Sequence, residues 1–283
     1  MPVSLEQFIP THNHLICFDS DGTVMNTMLV KHSQCLGPAL IETWVLDAWE
    51  ESVFQLWYDI NLYQMTRGVN RFKALALALR MIHDTYTPID GLPEYEAWVS
   101  SGAVLSGETL TSLVSSSSDT IFARVLHWNE SVNSKIAEVK LSDKRPFLGA
   151  TQGLEAASKF ADIAVISTAN RTALMEEWSE YGLLSYANVI LAQDSGSKAN
   201  CVAELLNKGY TPDHVLMVGD APGDLEAAKA NNVYFYPMLC RHEVESWVEL
   251  REQGYGKFKS ATYPEYGQQR INAFFHNLNA AQI

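Results

Sequence analysis

Leu15-Ile16-Cys17-Phe18-Asp19-Ser20-Asp21-Gly22-Thr23 is the stretch whose reading decides the fold. Four apolar residues in a row, with β-branched and aromatic members, read as a short buried strand. The strand runs straight into two aspartates one residue apart. Extended geometry points Asp19 and Asp21 to the same side, because side chains alternate with period two. Two adjacent carboxylates repel each other unless a cation or a proton is shared between them. A buried strand that stops in such a pair suggests a site at the carboxyl edge of a parallel sheet, where open α/β folds place their ligands. The same residues also fit an Asx-turn with both acids solvated. The rest of the chain decides between the two.

The chain has 283 residues, comfortable for two domains, with 47% hydrophobic and 19% charged residues, as in an ordinary soluble protein. A formal charge of -13 argues against nucleic acid or an anionic membrane surface as the main partner. It does not exclude a phosphorylated small molecule, since a cation in the site can reverse the local field. Cys17, Cys35, Cys201 and Cys240 are scattered, with no Cys-x-x-Cys pair, and read as reduced thiols. Neither a signal peptide nor a membrane-spanning run is visible, so a cytoplasmic, soluble protein is expected.

From about Val24 to Asp143 the patterns are helical. Phe72, Leu75, Ala76, Leu79 and Ile82 recur at helical spacing, and Leu77, Ala78 and Met81 make that helix apolar nearly all round. It is expected to be central to its own core. Trp44, Trp49, Trp57, Trp98 and Trp128 fall in this block and read chiefly as packing for a helical bundle, with one or two facing a substrate as the sharper alternative. The run Ser115–Ser118 reads as a loop or a helix end.

From Arg145 onward strands and helices alternate. Thr151 to Ala161 reads as a helix, Ile163–Ile166 as a strand ending in Ser167-Thr168, and a further helix reaches Trp178. Asn188–Leu191 is the next strand, followed by a helix carrying Lys198. His214–Val218 is a strand ending in Gly219-Asp220, a helix runs from Gly223 to about Ala230, and Val233–Tyr236 closes the run. This alternation implies a doubly wound parallel sheet, an α/β fold that needs Leu15–Phe18 to be complete. The expected organisation is a discontinuous core, residues 1–23 with 145–283, and a mainly α-helical insertion, residues 24–144.

Several polar residues fall at these strand ends beside Asp19 and Asp21. The hydroxyl of Ser167 and the backbone N–H groups that follow, beginning with Thr168, suit an anion. Asp220 and Asp224, four apart across a strand–helix turn, lie within reach of one hard cation. Lys198 sits near a helix start, against the preference of the helix dipole, which a phosphate or a carboxylate would explain. Each has an ordinary reading too: a cap, a solvated surface charge, a turn with a favourable acid in the first helical turn. That all of them gather at strand ends favours a site.

Together, Asp19-Ser20-Asp21-Gly22-Thr23, Ser167, Lys198 and Gly219-Asp220-Ala221-Pro222-Gly223-Asp224 resemble the four signature motifs of the haloacid dehalogenase-like hydrolase superfamily. The likeness covers the whole sheet domain, and the helical insertion is similar to the family's helical cap. The resemblance implies a Rossmann-like core and a phosphatase. Asp19 would be the nucleophile forming an aspartyl-phosphate. Asp21 would be the general acid and then the base. Ser167 and Lys198, with Thr168, would bind the phosphoryl oxygens. Mg²⁺ would be held by Asp19, the backbone carbonyl of Asp21, and Asp220, with Asp224 as ligand or just behind.

The acid at position 21 favours phosphate-ester hydrolysis over C–halogen or C–P cleavage, and the expected partner is a small phosphorylated metabolite. A phosphomutase is the runner-up. Thr66-Arg67-Gly68-Val69-Asn70-Arg71 bears some likeness to the cap loop of β-phosphoglucomutase, which would make Arg71 a substrate-binding residue rather than a surface or hinge arginine. A phosphate-sensing protein without turnover is the third reading. The chain departs from the family's usual pattern at Asn26, often Asp, and at Lys198-Ala199, often Lys-Pro.

Overall fold

The structure is a computed structural model that describes residues 2–116 and 120–279. Five strands, β1 (His14–Phe18), β2 (Ala161–Ile166), β3 (Val189–Leu191), β4 (Val215–Gly219) and β5 (Tyr234–Pro237), form one all-parallel sheet in the order β3-β2-β1-β4-β5. The first strand is central. Phe18 is level with Val165 on one side and Val218 on the other, so all three chains leave the sheet at one height. Leu15, Ile16, Cys17 and Phe18 are fully buried, as a strand covered on both faces requires.

The chain divides into two compact units, Met1–Met28 with Leu141–Ile283, and Leu29–Lys140. Residues 24–28 belong with the sheet because they bond back to it. Asn26 N–H donates to Arg145 O at 2.7 Å and Phe147 N–H to Val24 O at 2.9 Å. In the sheet unit, Ile16, Phe18, Ile163, Val165, Leu216 and Val218 form a core with Trp178, Trp247, Tyr255 and Phe258. Burying each such large side chain stabilises the fold by about 1.5–3 kcal/mol.

The structure corrects two readings of the sheet unit and adds helices beyond them. The first helix after the insertion is Ala150–Ala157, and Ala161 opens β2 opposite His14. The apolar residues Phe160 and Ala161 continue the helical spacing by coincidence, and pairing with β1 overrides it. Three helices follow β5, Glu243–Glu249, Tyr255–Lys259 and Tyr263–Asn279, beyond the point where the strand–helix pattern ends. Their aromatic residues Trp247, Tyr263, Phe258 and Phe274 are buried.

The second unit consists of helices joined by loops, with no strand among its described residues. The periodic segment is the helix Arg71–Thr85, started by Asn70, whose side chain accepts the N–H of Phe72 at 2.9 Å. It is one-sided, not apolar all round: Phe72, Leu75, Leu79 and Ile82 are buried, while Leu77 and Met81 are 42% and 48% exposed. Trp57 and Trp128 meet edge to face at 6.2 Å and Phe72 packs on Trp98 and Trp128, so these aromatics form the core of the bundle. Ser116 ends a helix, and Ser117 and Ser118 lie outside the described residues. Among the described residues no helix is long and apolar enough to cross a membrane.

Candidate active site

At the carboxyl edge of β1 the chain leaves the sheet in a tight turn. Asp19 N–H still bonds Val218 O at 2.9 Å, continuing the ladder, and then the Ser20 carbonyl accepts the N–H groups of Val24 and Met25 at 2.9 and 2.8 Å. Gly22 stands at φ 82°, the left-handed region that a side chain disfavours. The turn aims Asp19 inward, where it is 6% exposed and its Oδ1 accepts the N–H of Ser20 at 2.8 Å.

Three strands on in sequence order but adjacent to β1 in space, β4 delivers Asp220 and, one helical turn on, Asp224. The helix Pro222–Ala230 begins with Pro222, suited to a first turn, and with Asp224 accepting the N–H of Ala221 at 3.1 Å. Asp224 folds back so closely that a Cβ on Gly219 would lie 2.2 Å from its Cγ, so only glycine fits there. Asp19, Asp220 and Asp224 each offer one oxygen within 4.8 Å of the others, all buried.

Lys198 enters this acid group from the start of the helix Lys198–Leu206, which packs against the helix Pro222–Ala230. Ser197 caps its helix by accepting the N–H of Asn200 at 3.2 Å, which fixes where the helix begins. Arg171 holds the surrounding loops together, with two bonds of 2.7 Å to Asp194 and one of 2.9 Å to the Ile190 carbonyl. Lys198 Nζ lies 2.6 Å from Asp224 Oδ1 and 3.0 Å from Asp19 Oδ2. The unfavourable place at the helix start is offset by these two charges.

The electrostatics follow from burial. Desolvation pushes the Asp19 carboxyl well above the usual range; Lys198 opposes the shift, and Asp224 and Asp220 add to it. Asp224 is raised for the same reason, with Asp220 reinforcing burial and Lys198 opposing it. For Lys198 burial alone would lower the pKa, but Asp19 and Asp224 outweigh it and hold the ammonium charged. Three carboxylates against one ammonium leave an excess of two negative charges. An all-oxygen, negatively charged donor set of this kind suits a hard divalent cation such as Mg²⁺.

The remaining candidates are distributed as follows. Asp21 is half-buried, lies outside the acid group, and accepts a hydrogen bond from the Thr27 hydroxyl. Ser167 follows β2 directly, is 5% exposed, and its Oγ accepts the N–H of Ala169 at 3.1 Å; Thr168 beside it is exposed. Arg71 belongs to the helical unit, where its guanidinium donates to Asn129 and Asn133 at 3.2 and 2.8 Å. Burial works against its charge and lowers its pKa.

Two polar contacts in this site escape sequence reasoning. Thr23 Oγ1 donates to Asp220 Oδ1 at 2.7 Å across 197 residues, and Thr27 meets Asp21. Threonines beside aspartates are common in turns, so their types carry no signal; only the sheet order brings Thr23 to Asp220.

A haloacid dehalogenase-like hydrolase family model matches residues 99–237. Among solved structures, a haloacid dehalogenase-like family hydrolase from Streptococcus pneumoniae matches with a TM-score of 0.52 and 12% identity, over 83% of this chain and 90% of that one. A haloacid dehalogenase-superfamily hydrolase of subfamily IA from Geobacter sulfurreducens matches with a TM-score of 0.40 and 15% identity, over 80% and 88%. CbbY from Rhodobacter sphaeroides, in complex with phosphate, matches with a TM-score of 0.43 and 15% identity, over 79% and 86%. No curated protein sequence matches this chain at a significant level.

Proposed function

We propose that this chain, which a haloacid dehalogenase-like hydrolase family model matches over residues 99–237, is a Mg²⁺-dependent phosphatase of that family. Its substrate would be a small phosphate monoester, cleaved through an aspartyl-phosphate on Asp19. The observation that carries this reading is the buried group of Asp19, Asp220 and Asp224 around Lys198 at the carboxyl edge of a parallel sheet.

In this reading Asp19, its Oδ1 held by the Ser20 N–H and its Oδ2 beside Lys198, attacks phosphorus as the carboxylate. The bond to the leaving oxygen breaks as Asp21 gives that oxygen its proton. Asp21 then takes a proton from the water that attacks the acyl phosphate, which frees inorganic phosphate and restores Asp19. Ser167, Thr168 and Lys198 bind the phosphoryl oxygens. Asp19, Asp220 and the backbone carbonyl of Asp21 would hold Mg²⁺, with Asp224 as ligand or behind them. When bound, the ion supplies positive charge that lets a carboxylate approach an anionic phosphate.

The helical unit Leu29–Lys140 would act as the cap that selects the substrate. Arg71 is its candidate anion-gripping residue, since among the described residues its guanidinium donates to the neutral amides of Asn129 and Asn133. A cytoplasmic setting fits the four cysteines, all of them buried.

The test is phosphate release from a panel of sugar, nucleotide and small organic phosphates, with and without Mg²⁺, by the wild type and Asp19→Asn. Mg²⁺-dependent release that is lost in the variant is the expected result. Isomerisation of a sugar phosphate with little release would establish a phosphomutase instead. Phosphate binding without turnover would establish a sensor.

A further inference from the structure

Each end of the loop Asp19–Thr23 is gripped by a buried indole. Trp178, fully buried on the helix Arg171–Glu180, donates its N–H to Ser20 Oγ at 2.9 Å. Trp247, fully buried on the helix Glu243–Glu249, donates its N–H to the carbonyl of Thr23 at 3.0 Å. An indole has one donor and no acceptor, so each of these rings spends its whole hydrogen-bonding capacity on this one loop.

Trp247 is itself held on several sides. Its ring stacks on Phe18 with centroids 5.7 Å apart and planes 20° from parallel. A Cβ on Gly153 would lie 2.4 Å from two carbons of the ring, so the helix Ala150–Ala157 forms a slot that only a missing side chain leaves open. Its neighbour Ser246 is tied down too, with its hydroxyl donating to the His242 carbonyl at 2.7 Å and its carbonyl accepting the Tyr236 hydroxyl at 2.8 Å. The residue that Trp247 grips is the one whose hydroxyl reaches Asp220, at 2.7 Å. A chain of two hydrogen bonds therefore runs from a rigid indole, through Thr23, to an acid of the candidate metal site.

We propose that Trp247 is a positioning residue that acts through Thr23 to orient Asp220 for a divalent cation. Trp178 does the corresponding work at the other end of the loop. It fixes Ser20, whose N–H holds Asp19 and whose carbonyl closes the turn. The assignment rests on the metal-dependent reading of the site given above. Both indoles converge from separate helices on the five residues that carry the nucleophile and the general acid.

Direct binding of Mn²⁺, followed by the loss of its free-ion electron paramagnetic resonance signal, tests this without any turnover. It is measured on full-length wild type, Trp247→Phe, Thr23→Val, Thr23→Ser and the double variant Trp247→Phe/Thr23→Val, with thermal midpoints recorded alongside. Partners just behind metal ligands typically change affinity by about 10–100-fold, so Thr23→Val is expected to weaken Mn²⁺ by about tenfold. Trp247→Phe, one bond further out, is expected to weaken it by about threefold, and Thr23→Ser to restore it. The double variant is expected to bind no worse than Thr23→Val, because both substitutions cut one chain. Wild-type affinity in Trp247→Phe, or losses that simply multiply in the double variant, would overturn the role of the indole. A wild type that binds no Mn²⁺ would overturn the reading of the metal site itself. If Trp247→Phe fails to fold, Thr23→Val and Thr23→Ser decide the relay: equal wild-type affinity in both overturns it.

Discussion

Lys198 Nζ lies 2.6 Å from Asp224 Oδ1, and this pair is fixed from both ends. Ser197 sets the start of the lysine's helix, and the bare Cα of Gly219 lets the aspartate tuck under the strand end. The same ammonium is 3.0 Å from Asp19, so one cation serves both the nucleophile and an acid behind it.

Replacing Lys198 by Met is expected to remove the cation that pairs with both Asp19 and Asp224. Phosphate release should fall by about 10²–10³-fold, the usual loss when a preorganised charge at the reacting group is removed. Breaking a buried pair leaves its partner uncompensated, at a cost of about 3–5 kcal/mol. Urea unfolding without metal reads this loss, and added Mg²⁺ is expected to shrink it.

Asp19→Asn carries the opposite sign for stability. A carboxyl whose folded pKa is raised destabilises the ionised fold at pH values above its unfolded pKa. Neutralising it should therefore raise the thermal midpoint of the metal-free protein while abolishing turnover. The gain should disappear below about pH 4, where the unfolded carboxyl is protonated as well. An unchanged or lower midpoint at neutral pH would contradict the electrostatic account.

Gly219→Ala tests the close approach. The new methyl would sit 2.2 Å from Asp224 Cγ and 2.4 Å from its Cβ, so Asp224 must move. Overpacking of this kind costs about 1–3 kcal/mol. Phosphate release should fall along with stability, because Lys198 loses the partner that holds it.

The sheet core and the strand ends that carry the candidate residues were legible because their signals are local. Short apolar strands break into Asp, Ser or Gly-Asp, and each break marks a carboxyl edge whether or not the neighbouring strands are known. The indole contacts of Trp178 and Trp247 were not legible, since they join residues 158 and 224 positions apart and depend on helix packing. Leu77 and Met81 misled because apolar residues on an exposed helix face look the same in sequence as buried ones. The helices after β5 lack the alternation that marks the sheet, and their aromatics become informative only once packed against it.

Acid stability has a separate origin, at the amino edge of the sheet. Asp162, fully buried at the start of β2, accepts hydrogen bonds from Thr11, His12 and the Tyr210 hydroxyl. Burial alone would raise its pKa, but these bonds, Thr11 and Tyr210 foremost, outweigh it and hold the carboxyl below the usual range. A depressed pKa contributes stability that is present above the unfolded value of about 3.9 and lost as pH falls through the folded one. Asp162→Asn should therefore cost about 1–3 kcal/mol at neutral pH and flatten the acid limb of the stability–pH curve.

The central claim is that Asp19 is phosphorylated during turnover. It is tested most directly by quenching the enzyme in acid with a turned-over substrate and Mg²⁺, reducing with borohydride, and sequencing the peptide that carries residue 19 by mass spectrometry. An acyl phosphate there is reduced to homoserine, and the account predicts homoserine at position 19, dependent on both substrate and Mg²⁺. Phosphate release at full rate with residue 19 still aspartate, or with the label on another residue, would contradict it.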